Sequence, residues 1–170
     1  MPDKALVPIA IAQPTEILNQ LKSGQLLKVN GFPGSAIIIC HRHHAEMAGP
    51  GAAVGSLFDI NCRRVIPIGN PSVVYPESLA ERQKAYVIRQ QWIRLNQKAI
   101  EHCVPLHRAV AILRLFERYF GPEATTQMPD DILAQLVGVF PKTIQMARLA
   151  TDNQVASKQR NLQQLTVSGK

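Results

Sequence analysis

The sequence predicts an α+β protein in which a small β-rich N-terminal domain, one long helix and a C-terminal helical domain follow one another. Three observations carry that reading. Prolines at 2, 8, 14, 33, 50, 67, 71 and 76 disfavour any long helix in the first 76 residues, because each removes a helical hydrogen bond. Glycine and proline are then absent for 28 residues from Glu77, where Gln, Arg, Lys, Ala and Leu take over. Last, the stretch from Asp130 to Leu149 has the pattern of two short helices joined by a tight turn.

Each element can be justified in order. Pro14 to Leu21 forms a short helix, with Pro14 in its first turn and Ile17, Leu18 and Leu21 on one side. Leu26 to Val29, Ala36 to Cys40 and Val65 to Ile68 are apolar or β-branched runs bounded by Gly, Pro or Asn, as strands are, and Ser72 to Tyr75 adds another. The long helix occupies 77–104. Along it Leu79, Tyr86, Ile93 and Ile100 recur every seven residues, with Val87, Trp92 and Ala99 beside them and Gln83, Gln90 and Gln97 at the companion positions. Two uses of that stripe stand side by side: a homodimer seam, or packing on the protein's own N-terminal sheet. Pro105 breaks the helix. A second one runs from Leu106 to Phe120 with Ala109, Val110, Leu113, Phe116 and Phe120 inward, and Gly121 and Pro122 stop it. Beyond Leu149 the chain turns polar, with a weak helix over Asn153 to Leu165 and frayed final residues. The division is therefore 1–76 for the β-rich domain, 77–104 for the linking and dimerisation helix, 105–150 for the helix-turn-helix domain and 151–170 for a polar tail.

The helix pair over 130–149 is the most informative segment. Ile132, Leu133, Leu136 and Val137 give its first helix one apolar face, and Asp130 and Asp131 suit that helix's N-terminus by capping and dipole complementarity. Gly138 stands where the chain must leave the helix, a place that favours a left-handed residue. Val139 plugs the gap, and Pro141 opens the second helix, where its missing N–H has no partner to lose. Ile144, Ala147 and Leu149 are expected inward. That leaves Lys142, Thr143, Gln145, Met146 and Arg148 facing outward on a recognition helix of about 141–149, the element that helix-turn-helix proteins lay in the major groove of double-stranded DNA. An ordinary helical hairpin packed in a core is the alternative.

Composition bounds the function. Nineteen Lys plus Arg against twelve Asp plus Glu give a formal charge of +7, which suits an anionic partner such as nucleic acid. Cys40, Cys62 and Cys103 are odd in number and lack C-x-x-C spacing, so neither a disulfide framework nor a zinc ribbon is written, and a reducing compartment is expected. No leader and no apolar run of membrane-spanning length is visible, so the protein is expected to be cytoplasmic, with no membrane partner.

Other chemistry is less well supported by the residues. Cys40, His41, His43 and His44 are metal-ligating types in one cluster, but on a strand His41 and His43 share one face while Cys40 and His44 share the other. Exposed loop histidines, without a metal, are the expected outcome, and a metal-dependent sensor the third reading. Gly49-Pro-Gly51-Ala-Ala-Val-Gly55 superficially matches a dinucleotide loop, yet Pro50 and the lack of a following helix argue against one. Trp92 is expected in a core or interface. No nucleophile elbow or carboxylate pair is present, so an enzyme is not expected, and neither is a cofactor.

The run Arg108-Ala-Val-Ala-Ile-Leu-Arg-Leu-Phe-Glu-Arg-Tyr-Phe-Gly121, then Asp131-Ile-Leu-Ala-Gln-Leu-Val-Gly-Val and Thr143-Ile, resembles the DNA-binding half of the Crp/Fnr family of bacterial transcription regulators. The resemblance implies a β-roll sensor, here shortened, followed by a dimerisation helix and a winged helix-turn-helix. Pro50-Gly-Ala-Ala-Val-Gly-Ser-Leu-Phe with Arg63 and Arg64 resembles a worn form of the family's phosphate-binding cassette. Four departures stand out. Gly55 is followed by Ser56 where the family has the glutamate that holds a ribose. Phe140 replaces the serine that caps the recognition helix, at a cost of about 0.5–2 kcal/mol unless another cap intervenes. Pro141, Lys142 and Met146 stand where arginine, glutamate and arginine are frequent, and no wing is visible between Ala150 and Lys170. The implied function is a dimeric DNA-binding transcriptional regulator, its effector left open. A degenerate member acting as a non-DNA-binding protein-interaction dimer is the alternative.

Overall fold

A computed structural model describes residues 14–167, with side chains placed through Asn153 and at Ala156 and Ser157; the expectations for 1–13 and 168–170 fall outside the described residues. The fold is α+β, as expected, and divides into two compact units: 14–42 with 47–92, and 43–46 with 93–167. The division falls inside the long helix, between Trp92 and Ile93.

In the first unit, helix α1 (Pro14–Lys22) buries Ile17 and Leu21 completely, each worth about 1.5–3 kcal/mol on leaving water. Strands β1 (Leu26–Asn30), β2 (Ala36–Cys40), β3 (Ala45–Ala48), β4 (Ala53–Gly55), β5 (Arg64–Ile68) and β6 (Ser72–Val74) form two three-stranded sheets, ordered β4-β1-β6 and β3-β2-β5. β1 alternates, with Leu27 and Val29 inward, whereas all five residues of β2 are buried because it is the central strand of its sheet. β5 pairs antiparallel with β2, Ile37 opposite Pro67, and Pro67 is tolerated because β5 lies at an edge. Four strands lie where the apolar runs predict them. β3, β4 and the short helix α2 (Ser56–Asp59) have no counterpart in the sequence pattern: these segments are too short or too glycine-rich to show periodicity.

Helix α3 (Leu79–Ile100) lies within the glycine-free and proline-free segment but is shorter than the expected 77–104: residues 101–104 turn rather than continue the helix. Its buried side is not its most apolar one. Ala85, Arg89, Asn96 and Ala99 are buried, while Leu79, Tyr86, Val87 and Ile100 are exposed and Ile93 is half-buried. Small and polar residues therefore form the inward stripe, and the heptad stripe faces solvent along most of its length.

The second unit holds α4 (Pro105–Gln127), α5 (Asp130–Val137) and α6 (Pro141–Val167). α4 is two helical pieces across a kink: Gly121 is non-helical (φ 85°, ψ 167°) and Pro122 restarts the helix, so the expected stop is real but brief. Ala109, Ile112, Leu113 and Phe116 are its buried face, and Phe120 meets the Phe116 ring edge-on at 5.0 Å; Val110 and Phe120 are half-buried rather than fully inward. α6 corrects the expected short recognition helix and separate weak tail helix. It runs unbroken for 27 residues, about 40 Å at the α-helical rise, and no strand follows α5 among the described residues.

Candidate nucleic-acid interface

The turn between α5 and α6 forms for the reason its sequence indicates. Gly138 adopts φ 63°, ψ 48°, and the N–H groups of Gly138 and Val139 both donate to the Ala134 carbonyl, closing the helix end. Ile132, Leu133, Ala134, Leu136 and Val137 are all buried, so α5 is anchored on its apolar face and the chain is delivered in a fixed direction. Pro141 is the first residue of α6, and the Thr143 N–H donates to the Phe140 carbonyl at 2.9 Å. Phe140 itself is 81% exposed. One detail is corrected: α5 starts after Pro129, with no side-chain cap, so Asp130 and Asp131 act through the helix dipole in the first turn.

On α6, Ile144 and Ala147 are fully buried, as expected, and the opposite face carries Lys142, Gln145, Met146 and Leu149. The inward expectation for Leu149 is corrected: it is 66% exposed, because at roughly 100° per residue it falls on the side of the helix opposite the buried 144/147 line. Thr143 is half-buried. Lys142 and Gln145 project into solvent at the N-terminal end, where a helix entering a groove presents its side chains.

Arg148 is placed differently from its outward-facing neighbours. Its Nε donates to Asp130 Oδ1 at 2.8 Å, Nη1 to the Thr125 carbonyl at 2.9 Å and Nη2 to the Met128 carbonyl at 2.8 Å. The guanidinium thus satisfies carbonyls at the C-terminal end of α4 while pairing with the first turn of α5. It positions α6 against both helices. A second tie is Asn96, whose Nδ2 donates to the Leu136 carbonyl at 2.8 Å from a buried site on α3.

In the first unit, the segment that resembles a cassette closes on itself. Asp59, fully buried at the end of α2, accepts from the Gly55 N–H at 2.8 Å and from Arg89 Nη1 and Nη2 at 3.2 and 3.1 Å, and His41 Nε2 lies 3.5 Å from Asp59 Oδ1. Arg89 also donates to the Ala53 carbonyl and stacks 5.3 Å from the Phe58 ring. Burial by itself raises the Asp59 carboxyl, but the His41 contact, the Arg89 charge and hydrogen bonds, and the Gly55 N–H together hold it below the ordinary 3.8. Burial, and next the Asp59 charge, push the nearby Cys62 thiol up. Arg63 and Arg64, the cassette-like arginines, are exposed. Sequence reasoning misses Asp59 and Arg89. The available signal is an acid between Phe58 and Ile60, and an arginine in register with Ala85 and Asn96 on one side of a helix.

The remaining candidates are placed as follows. The strand placement of the histidines is corrected: β2 ends at the buried Cys40 and 41–44 bend before β3, so the alternation of faces does not apply; His43 and His44 are exposed as expected, His41 is half-buried, and His44 Nε2 lies 3.4 Å from Glu46 Oε1. Gly49 lies under Trp92: a β-carbon there would come within 2.1 Å of the indole, so the packing of Trp92 requires a glycine at this position. No helix of the described residues is long and apolar enough to cross a membrane. No protein-family model, curated protein or solved structure matches the chain.

Proposed function

We propose that the protein is a DNA-binding transcriptional regulator of Crp/Fnr type, acting as a homodimer that lays the first turns of α6 in the major groove. The observation that carries the reading is the α5–Gly138–α6 unit. Its left-handed glycine, buried first helix and outward Lys142 and Gln145 have the form a recognition helix requires. Lys142 is suited to guanine O6/N7 or phosphate and Gln145 to adenine N6/N7. Arg148 has the role of a positioning residue rather than a phosphate ligand. The exposed Leu79, Tyr86 and Ile100 support α3 as the seam between subunits, which would present two recognition helices about 34 Å apart.

Titration of the full chain against a generic 30-base-pair duplex over a salt series tests this. Affinity is expected to fall with salt, and Lys142→Ala to flatten the log–log slope by about one per subunit where that lysine neutralises a phosphate. Binding that is absent, or indifferent to salt, rejects the reading.

One observation favours a second reading, a protein-interaction dimer that no longer reads DNA. Between Pro141 and Asn153, Lys142 is the only cationic side chain on the outward side of α6, since Arg148 is turned to Asp130. In that case the salt series gives no shift while the dimer persists.

A further inference from the structure

We infer that the recognition surface of α6 reads thymine methyl groups, through Met146 and Leu149, so that its target is an A·T-containing major-groove site. This rests on the DNA-binding reading above and names what that site selects. Met146 is 53% and Leu149 66% exposed, on a helix whose buried residues, Ile144 and Ala147, are completely covered. The exposure therefore does not come from loose packing of α6.

The four outward residues form one contiguous patch by helical geometry. Lys142 and Met146 are four apart, Gln145 and Leu149 four apart, and Lys142–Gln145 and Met146–Leu149 three apart, each spacing bringing side chains into neighbouring positions. The patch thus has an apolar half, Met146 and Leu149, and a hydrogen-bonding half, Lys142 and Gln145. In the major groove the thymine 5-methyl is the one apolar group a base pair presents, and the adenine paired with it offers N6 and N7 to an amide such as Gln145. An apolar pair beside a glutamine matches an A·T step on both strands. Lys142, nearest the helix start, matches a purine N7 at one side of that step. Arg148 keeps the patch in place by holding α6 to Asp130 and to the Thr125 and Met128 carbonyls, and so adds no charge to it. A surface with a single cation discriminates by shape and methyl burial more than by phosphate attraction.

The experiment uses the full chain and three 30-base-pair probes at fixed salt: alternating d(A·T), the same duplex with deoxyuridine for thymidine, and alternating d(G·C). The d(A·T) duplex is expected to bind about tenfold tighter than the deoxyuridine duplex, as burial of two methyl groups would give. In the exposed double variant Met146→Ala/Leu149→Ala, checked for an unchanged melting temperature, that preference is expected to vanish while salt-dependent binding to all three probes remains. Equal affinity for the d(A·T) and deoxyuridine duplexes, with binding still salt-dependent, overturns the methyl reading and leaves DNA binding standing. A preference that survives in the double variant overturns it too, because the selectivity then comes from duplex shape. Absence of binding to every probe overturns both, and points to a protein partner for the patch.

Discussion

Each unit of the molecule holds an arginine–carboxylate pair, and the two pairs do opposite things. In the first, Arg89 and Asp59 are both buried, with the Gly55 N–H, the Ala53 carbonyl, His41 and the Phe58 ring arranged about them. In the second, Arg148 and Asp130 are each about one quarter exposed, and the arginine also donates to two carbonyls at the end of α4. The buried pair turns its charges inward and leaves the cassette-like segment engaged with the chain's own carboxylate. The partly exposed pair lies beneath a surface and fixes its orientation. Burial thus separates an ion pair that fills a site from one that supports a site.

The sharpest way to break this contrast is Arg89→Leu. It leaves Asp59 without its main partner in a buried position, and stability by denaturant unfolding is expected to fall by about 3–5 kcal/mol. Replacing both residues by apolar ones of similar volume should restore much of that loss, because neither charge is then left unpaired. A smaller effect comes from acid. The folded Asp59 carboxyl sits below the value it has in the unfolded chain, so the unfolded state takes up protons first on acidification. Its stabilisation is complete above the ordinary value of 3.8 and is lost as pH falls through that value towards the lower folded one; Asp59→Asn should flatten the melting temperature between about pH 5 and pH 3. A flat profile in the parent protein would show the pair to be weaker than its burial implies.

Arg148→Ala should cost less, about 1–2 kcal/mol, since solvent reaches both partners, yet it should weaken DNA binding by more than its stability loss explains if it positions α6. Equal losses in the two measurements would make it merely structural. Gly138→Ala completes the series at about 1 kcal/mol by denaturant unfolding. A β-carbon there meets no atom within 4 Å, so the whole cost is the left-handed backbone at φ 63°.

Where local chemistry decides, the sequence was legible. The α5 limits, the left-handed Gly138, the first residue of α6 and four of the six strands follow from apolar spacing and from the backbone freedom of single residues. Within the candidate site, Lys142, Gln145 and Met146 lie outward and Ile144 and Ala147 inward, as helical periodicity requires. Arg148 escapes that reading because periodicity says which way a Cα–Cβ bond points, whereas a long arginine can turn back to meet Asp130, eighteen positions away. The α3 helix shows the same limit: its inward residues, Ala85, Arg89, Asn96 and Ala99, are small or polar, so a search for an apolar face finds the other side.

By itself, then, the sequence determined the α+β class, the position of the long helix and the turn at Gly138 between α5 and α6, since each depends on interactions among residues a few positions apart. Only the tertiary structure decided that Asp59 and Arg89 are joined across thirty residues and that Arg148 is turned back onto α4 and α5. Those outcomes depend on which distant groups share a low-dielectric space, and the energy of a charge or an apolar side chain there is set by neighbours that its own segment does not contain.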